Sequence, residues 1–277
     1  NVVILYPENK VSEIQERQLT TNGNNITALR VKGSFDDCQN IVKNAFLDKE
    51  LNNNLNLTSA NSINVARWLP QAFYYFYAVK KLKRRNMVFS VPSGNFGNIC
   101  AGLIAMKLGL PIDHFIASTN VNDTVPRYFE SQVLNPKPTI QTISNAMDVS
   151  RPSNFVRIQE MFENFENLSK FLSSYSFDDN QTLETVKKIY NDKKYILDPH
   201  GAIGYLGLKK YLDNNPKKIG VFLETAHPIK FSEHIEKTIR IKLDIPKKIN
   251  KILSKKKKYI DIENYNDLKK EILFLKI

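Results

Sequence analysis

Cysteine is scarce in this sequence: Cys38 and Cys100 are the two cysteines among 277 residues. Two cysteines exclude a disulfide-rich secreted scaffold and a zinc site with four cysteine ligands. No apolar run approaches the roughly 20 residues that a membrane-spanning helix needs, and no signal-peptide pattern is present. We therefore predict a globular protein that is located in the cytoplasm, with reduced cysteines, no metal site and no membrane partner.

Acidic residues are fewer than basic ones, with 28 Asp and Glu against 40 Lys and Arg, which gives a formal net charge of +12. Such a charge is typical of proteins that bind nucleic acids. The lysines, however, lie mainly on the polar faces of predicted helices and in the run at residues 255–258, and arginines are few. We interpret the charge as a solvated surface and expect no nucleic acid partner. A basic nucleic-acid-binding module stays the alternative from another functional class.

Apolar runs alternate with helical patterns in the first half of the chain. Strands are predicted at residues 2–6, 25–32, 87–91 and 114–118, and helices at residues 35–51, 64–83 and 98–108. Because the intervening helices are long enough to be crossover connections, the strands should be parallel and the fold α/β. Later residues predict helices at 125–132, 152–165, 181–193 and 199–213 and a strand at 219–223. From Pro246 the sequence predicts two lysine-rich helices or a partly frayed tail.

The most informative stretch is Val-Phe-Ser-Val-Pro-Ser-Gly-Asn-Phe-Gly-Asn at residues 88–98, which predicts a buried strand, a turn and a helix start. The free N–H groups and the positive dipole end of such a helix attract a phosphate group. Gly94 and Gly97 are expected to adopt positive φ angles and to allow close approach of a ligand. Ser93, Asn95 and Asn98 can add side-chain donors. The spacing fits neither a Walker loop nor a dinucleotide-binding fingerprint, so a smaller phosphate compound is expected.

Six motifs follow one another along the chain. They are Gly-Ser-Phe-Asp-Asp-Cys (33–38), Asn-Ser-Ile-Asn-Val-Ala-Arg (61–67), Pro-Ser-Gly-Asn-Phe-Gly-Asn (92–98), Ala-Ser-Thr-Asn-Val-Asn-Asp-Thr-Val-Pro-Arg (117–127), Ser-Asn-Ala-Met-Asp (144–148) and Thr-Ala-His-Pro-Ile-Lys-Phe (225–231). In this order they resemble the threonine synthase family, from Val2 to about Pro246. The resemblance implies an α/β fold of the tryptophan-synthase-β type, incomplete at the N-terminus, and a pyridoxal-phosphate-dependent lyase. Its reaction would convert O-phosphohomoserine and water into threonine and phosphate.

The resemblance also implies a cofactor site and a substrate site. The phosphate of pyridoxal phosphate would lie in a loop of five residues: Gly94, Asn95, Phe96, Gly97 and Asn98. Thr225 corresponds to the hydroxyl residue that faces the pyridine nitrogen, and a neutral partner leaves that nitrogen largely unprotonated. The substrate phosphate would contact a second segment: Asn61, Ser62, Asn64 and Arg67. There the guanidinium of Arg67 would stabilise the charge of the leaving phosphate.

One expected residue is missing from the chain. The lysine that forms the Schiff base in this family stands in a Phe-Lys-Asp context, which does not occur here, and Lys230 belongs to a different motif. We therefore expect the chain to be the C-terminal two-thirds of such an enzyme, to contain no catalytic residue, and to need an N-terminal segment for activity. The expected domains are residues 1–55, the remainder of a smaller α/β domain, residues 56–245, a large cofactor-binding domain, and the tail at residues 246–277.

Other interpretations stay open at several residues. His200 and His227 are either acid–base groups or structural histidines, and the acidic pair at residues 36–37 is interpreted as complementing a helix dipole. Within enzymes, the alternative is another cofactor-dependent enzyme of the same fold type, such as a threonine or serine dehydratase. Arg67 argues against that alternative, because those enzymes bind no substrate γ-phosphate.

Overall fold

Seven strands and fourteen α-helices are present in residues 1–275, the part of the chain that the computed structural model describes. The strands are β1 (Val2–Pro7), β2 (Ile26–Val31), β3 (Met87–Pro92), β4 (His114–Thr119), β5 (Leu172–Ser176), β6 (Ile219–Phe222) and β7 (Ile260–Ile262). The helices are α1 (Glu13–Thr20), α2 (Phe35–Leu47), α3 (Lys49–Asn54), α4 (Val65–Trp68), α5 (Ala72–Leu82), α6 (Gly97–Lys107), α7 (Thr124–Ser131), α8 (Phe155–Phe162), α9 (Phe165–Phe171), α10 (Asp179–Lys193), α11 (Pro199–Asp213), α12 (Ser232–Ile239), α13 (Lys247–Leu253) and α14 (Tyr265–Phe274). Short 3-10 helices occur at Leu69–Gln71, Asn145–Met147 and Pro228–Phe231.

The chain divides into two units. The first unit contains Asn1–Thr58, Ile229–Ser232 and the described residues from Lys242 onward, and the second contains Ser59–Pro228 and Glu233–Ile241. A three-stranded parallel sheet in the order β1-β2-β7 forms the centre of the first unit. A four-stranded parallel sheet in the order β5-β4-β3-β6 forms the centre of the second unit. The prediction of an α/β fold with parallel strands is therefore confirmed.

The tail from Pro246 differs from the prediction, because it contains a strand between its two helices. Ile260–Ile262 pairs with β2, with Val31 opposite Ile262, and the Ile262 side chain is buried in the core of the first unit. Three residues are too few to show a strand period in the sequence. The strand exists because β2 supplies its hydrogen-bond partners.

Several predicted helices are divided in the structure. The helix expected at residues 35–51 ends at Asp48, whose side chain accepts the N–H groups of Glu50 and Leu51 and so begins α3. The helix expected at residues 64–83 consists of α4, a 3-10 turn that contains Pro70, and α5. The helix expected at residues 152–165 is α8, and a new helix follows Glu163, which has a φ of 66°.

The core of the second unit lies between its sheet and the helices α5 and α6. All six residues of β3 and of β4 are buried. Tyr75 lies edge-on to Phe89 and Phe115, with ring centroids 5.4 and 5.7 Å apart. Gly102 permits this packing, because a Cβ atom there would lie 2.5 Å from Phe115 Cε1. Strands β3 and β4 are thus fixed by apolar packing. The carboxyl ends of the parallel strands meet at one edge of the sheet, where ligands bind in open α/β sheets.

Candidate active site

The turn after β3 combines one strained residue with two close backbone approaches. Phe96 adopts a φ of 60°, whereas neither Gly94 nor Gly97 has a positive φ, so the expectation of positive φ angles at the two glycines was wrong. The glycines are required by space instead. A Cβ atom on Gly94 would lie 2.7 Å from Met147 Cα, and one on Gly97 would lie 3.0 Å from Ser62 Cβ.

The backbone N–H groups at residues 94–99 have no acceptor among the described residues. The first hydrogen bond at the start of α6 runs from the Cys100 N–H to the Phe96 carbonyl, at 3.1 Å, and no side chain caps this helix. Unpaired N–H groups at the start of an 11-residue helix favour an anion, since the helix dipole adds a partial positive charge there. The turn therefore has the geometry and the donors to bind a phosphate group.

The polar side chains of the turn mostly bond to the protein itself. Asn95 Nδ2 donates to Ser62 Oγ at 2.7 Å, and Asn95 Oδ1 accepts the Ser153 N–H at 2.7 Å. The Ser93 hydroxyl donates to the Val91 carbonyl at 2.9 Å, and Asn98 Oδ1 accepts the Tyr75 hydroxyl at 2.6 Å. Ser93 and Asn95 thus shape the turn, and the expected role of Ser93, Asn95 and Asn98 as donors to a ligand stays a prediction.

The second predicted segment forms the turn that leads into α4. Asn61 Oδ1 accepts the Ile63 N–H at 2.9 Å, and Asn64 Oδ1 accepts the Ala66 N–H at 3.0 Å. These two asparagines therefore hold the local backbone. The Arg67 backbone N–H donates to the Asn64 carbonyl, whereas its exposed guanidinium has no hydrogen bond or ion pair to any residue in the described part of the chain. Of the four predicted substrate residues, Arg67 offers its donors freely and Ser62 connects the segment to Asn95.

Arg157 on α8 is a residue that sequence reasoning missed. Its guanidinium donates to the carbonyls of Ser62 and Ile63, at 3.4 and 2.7 Å. No local signal could reveal this contact, because the partners lie more than 90 residues apart in the sequence. The structure thus brings the segments around residues 62 and 95 together with the start of α8.

Thr225 lies beyond the end of β6, the neighbour of β3 in the sheet, and its side chain is exposed. The preceding residue, Glu224, has its carboxyl group against Gly201, where an added Cβ atom would lie 1.9 Å from Glu224 Oε1. Burial, followed by the negative charge of Asp198, raises the pKa of Glu224 to about 8. A carboxyl group whose pKa is raised therefore lies next to the residue predicted to face the cofactor ring.

The two histidines that were left open have different surroundings. His200 is buried, and its Nδ1 atom lies 2.8 Å from Asp198 Oδ1. Asp198 also accepts the His200 N–H and so caps α11. His227 is exposed in the segment after β6. These contacts favour a structural role for His200.

A polar network connects the end of β4 to residues 140–148. The Asp148 carboxyl group accepts the Thr142 hydroxyl at 2.7 Å and the Asn120 amide at 2.9 Å. Burial raises the pKa of Asp148 to about 6. Because Met147 packs against Gly94, this network also fixes the segment that contacts the turn after β3.

Residues 1–275 contain neither a helix that could span a membrane nor a cluster of metal ligands. None of the helices there is both long and apolar enough to cross a membrane. No cluster of three or more His, Cys, Asp or Glu side chains in that part of the chain could hold a metal ion. The location in the cytoplasm and the absence of nucleic acid and metal partners stay predictions.

Two family models match the chain. One is described as a pyridoxal-phosphate dependent enzyme and matches residues 1–223. The chain belongs to this family. The second model is described as the C-terminal part of threonine synthase and matches residues 201–272. The prediction that pyridoxal phosphate is the cofactor is confirmed for the family, and the donors of the turn at residues 94–99 fit its phosphate group.

Relatives within the pyridoxal-phosphate family are named threonine synthase. The chain is 51% identical over 255 residues to a threonine synthase of Haemophilus influenzae, which covers 91% of this chain and 59% of the relative. The crystal structure of threonine synthase from Escherichia coli matches with a TM-score of 0.94 and 44% identity, over 99% of this chain and 64% of that one. The structure of a pyridoxal-phosphate-bound threonine synthase from Brucella melitensis matches with a TM-score of 0.87 and 31% identity, over 99% and 65% of the two chains.

These matches confirm the resemblance that the six motifs predict. They also show that the chain spans about three-fifths of the length of these family members. The roles of individual site residues, the domain boundaries and the expected N-terminal part stay predictions.

Proposed function

We propose that the enzyme containing this chain is a threonine synthase, which converts O-phosphohomoserine and water into threonine and phosphate with pyridoxal phosphate as cofactor. The observation that carries the proposal is the direct link between two segments that are each proposed to bind a phosphate group. The Asn95 amide in the turn after β3 donates to Ser62, five residues before Arg67, whose guanidinium has no partner within residues 1–275. A cofactor phosphate and a substrate phosphate would each have donors from one segment.

The chain's own residues would act as a binding and orienting frame. Pyridoxal phosphate, when bound, withdraws electrons from the substrate carbons and so permits proton removal there. In the proposed arrangement the N–H groups at residues 94–99 hold the cofactor phosphate. Thr225 offers a neutral hydroxyl to the ring nitrogen, and Arg67 stabilises the phosphate that leaves the substrate. Held donors of this kind contribute several kcal/mol only when they are already positioned before the reaction.

No residue of this chain is proposed to carry out the proton transfers. No lysine of the sequence stands in the Phe-Lys-Asp context of the family. The chain alone is therefore proposed to bind phosphate compounds without turnover, and the full-length enzyme is required for activity.

The test is a phosphate-release assay with O-phosphohomoserine and the full-length enzyme. Arg67→Ala should lower kcat/KM by about 10- to 100-fold, the size expected for lost charged hydrogen bonds. The matched control is Arg85→Ala, because Arg85 is also exposed and also lacks a partner within residues 1–275. Absence of phosphate release by the wild-type enzyme would contradict the proposal. Faster turnover of serine than of O-phosphohomoserine would support the dehydratase alternative.

A further inference from the structure

Arg157 belongs to a closed ring of hydrogen bonds that joins three segments of the second unit. Its Nη2 donates to the Ile63 carbonyl at 2.7 Å, and its Nη1 donates to the Ser62 carbonyl and to Asn154 Oδ1. The buried Asn154 amide in turn donates to the Asn95 carbonyl at 2.9 Å. Asn95 Nδ2 closes the ring by donating to Ser62 Oγ.

The charge of Arg157 is not balanced within this ring. All three of its acceptors are neutral oxygens, and no carboxylate in residues 1–275 lies within ion-pair distance of its guanidinium. The side chain is only partly exposed, and its guanidinium carbon lies 6.0 Å from the centre of the Trp68 ring. An arginine that only stabilised the fold would gain more from an acidic partner, because uncompensated charge is costly away from water.

We infer that Arg157 is a positioning residue for the substrate phosphate. Building on the proposed function, its guanidinium fixes the distance between the segment at residues 61–67 and the turn at residues 94–99, and it adds positive charge beside both. The planar fork of donors is essential, because it reaches two successive carbonyls and an amide at once. A lysine keeps the charge but cannot hold this geometry.

The test compares Arg157→Met, Arg157→Lys and the control Arg85→Met in the full-length enzyme loaded with cofactor. Inorganic phosphate is titrated by calorimetry, and KM and kcat for O-phosphohomoserine, the absorption spectrum of the bound cofactor and the melting temperature are measured in parallel. Arg157→Met should raise the phosphate Kd and the KM together by about 10-fold or more. Arg157→Lys should recover part of that loss, and the cofactor spectrum and Arg85→Met should match the wild type.

Three results would overturn the inference. One is an unchanged phosphate Kd and KM with a lower melting temperature, which would leave Arg157 a purely structural role. The second is loss of cofactor affinity by the same factor as phosphate affinity, which would mean that the ring serves the cofactor site. The third applies if Arg157→Met does not fold: a folded Arg157→Lys variant would then bind phosphate as tightly as the wild type. A wild-type enzyme that releases no phosphate from O-phosphohomoserine would instead contradict the proposed function, and the phosphate titration would still decide the role of Arg157.

Discussion

The two parallel sheets of this chain are stabilised in different ways. In the four-stranded sheet β3 and β4 are buried along their whole length, and the aromatic rings of Tyr75, Phe89 and Phe115 pack on one face. In the three-stranded sheet burial is confined to part of each strand, and Val2 and Ile260 are exposed. The candidate site is formed at the ends of the more deeply buried strands.

Ion pairs are prominent in the first unit. Lys257 contacts Glu13 and Glu16 at 3.0 and 2.6 Å, and Arg30 contacts Asp261 at 2.6 Å. These side chains are at least partly exposed, so each pair contributes little to stability. This difference between the two units indicates that the geometry of the candidate site depends on apolar packing in the second unit. In the first unit, partly exposed ion pairs connect α1 and β2 to residues in or near β7.

The largest expected effect is the loss of an aromatic ring from the four-stranded sheet. Phe115→Ala should reduce the free energy of unfolding by about 3–5 kcal/mol, because Phe115 is fully buried and the vacated volume cannot be refilled. Urea unfolding followed by the fluorescence of Trp68, the single tryptophan of the chain, measures this value. Phe73→Ala is the control, since Phe73 is 73% exposed. Equal effects of the two substitutions would contradict the close apolar packing of the four-stranded sheet.

The next largest effect is a loss of stability of the four-stranded sheet at acid pH. Burial lowers the pKa of His114 from 6.5 to about 4, and its imidazole stacks on Tyr211 and lies 2.8 Å from Ser173 Oγ. Since the unfolded chain binds the proton more tightly, the contribution of His114 is present above pH 6.5 and is lost as the pH falls toward 4. The loss reaches about 3 kcal/mol at most.

Urea unfolding at pH 7 and pH 5 measures this dependence. His114→Gln should lose less stability on acidification than the wild type, while His234→Gln, an exposed control, should lose as much as the wild type. An identical pH dependence of His114→Gln and wild type would show that the imidazole is not kept neutral by its surroundings.

The contrast between the sheets also shows which features the sequence could predict. The buried strands β3 and β4 were predicted to within a residue or two, since continuous apolar runs next to glycine signals have few alternatives. Helix α11 was predicted at its observed bounds, because Asp198 caps it and Pro199 begins it. By contrast, β5 was not predicted, because its sequence Leu-Ser-Ser-Tyr-Ser is mostly polar. Its serines find their partners across the sheet, as when the Ser174 hydroxyl donates to the Ala117 carbonyl.

The candidate site also contains some features that the sequence predicted and others that it did not. The turn after β3 was predicted because its N–H groups belong to one continuous segment, so local sequence specifies the donors. The tight contact of Gly94 with Met147 was not predictable, because Met147 lies about 50 residues further along the chain. The positive φ of Phe96 was not predicted either. Arg157 was missed for the same reason, since its importance lies in backbone carbonyls that any residue type could supply.

The smallest expected effect belongs to the ion pairs of the first unit. Lys257→Gln removes the contacts with Glu13 and Glu16 and should destabilise α1 by about 1 kcal/mol or less, because exposed pairs are well screened by water. Hydrogen–deuterium exchange of peptides from α1 should be faster in the variant at low ionic strength, and the difference from wild type should shrink at about 1 M salt, where the Debye length is about 3 Å. Lys256→Gln is the neighbouring control, since Lys256 is exposed and has no ion pair in the described part of the chain. A salt-independent difference would mean that Lys257 acts through the packing of its aliphatic stem, and the first unit would then resemble the second more closely than its charges indicate.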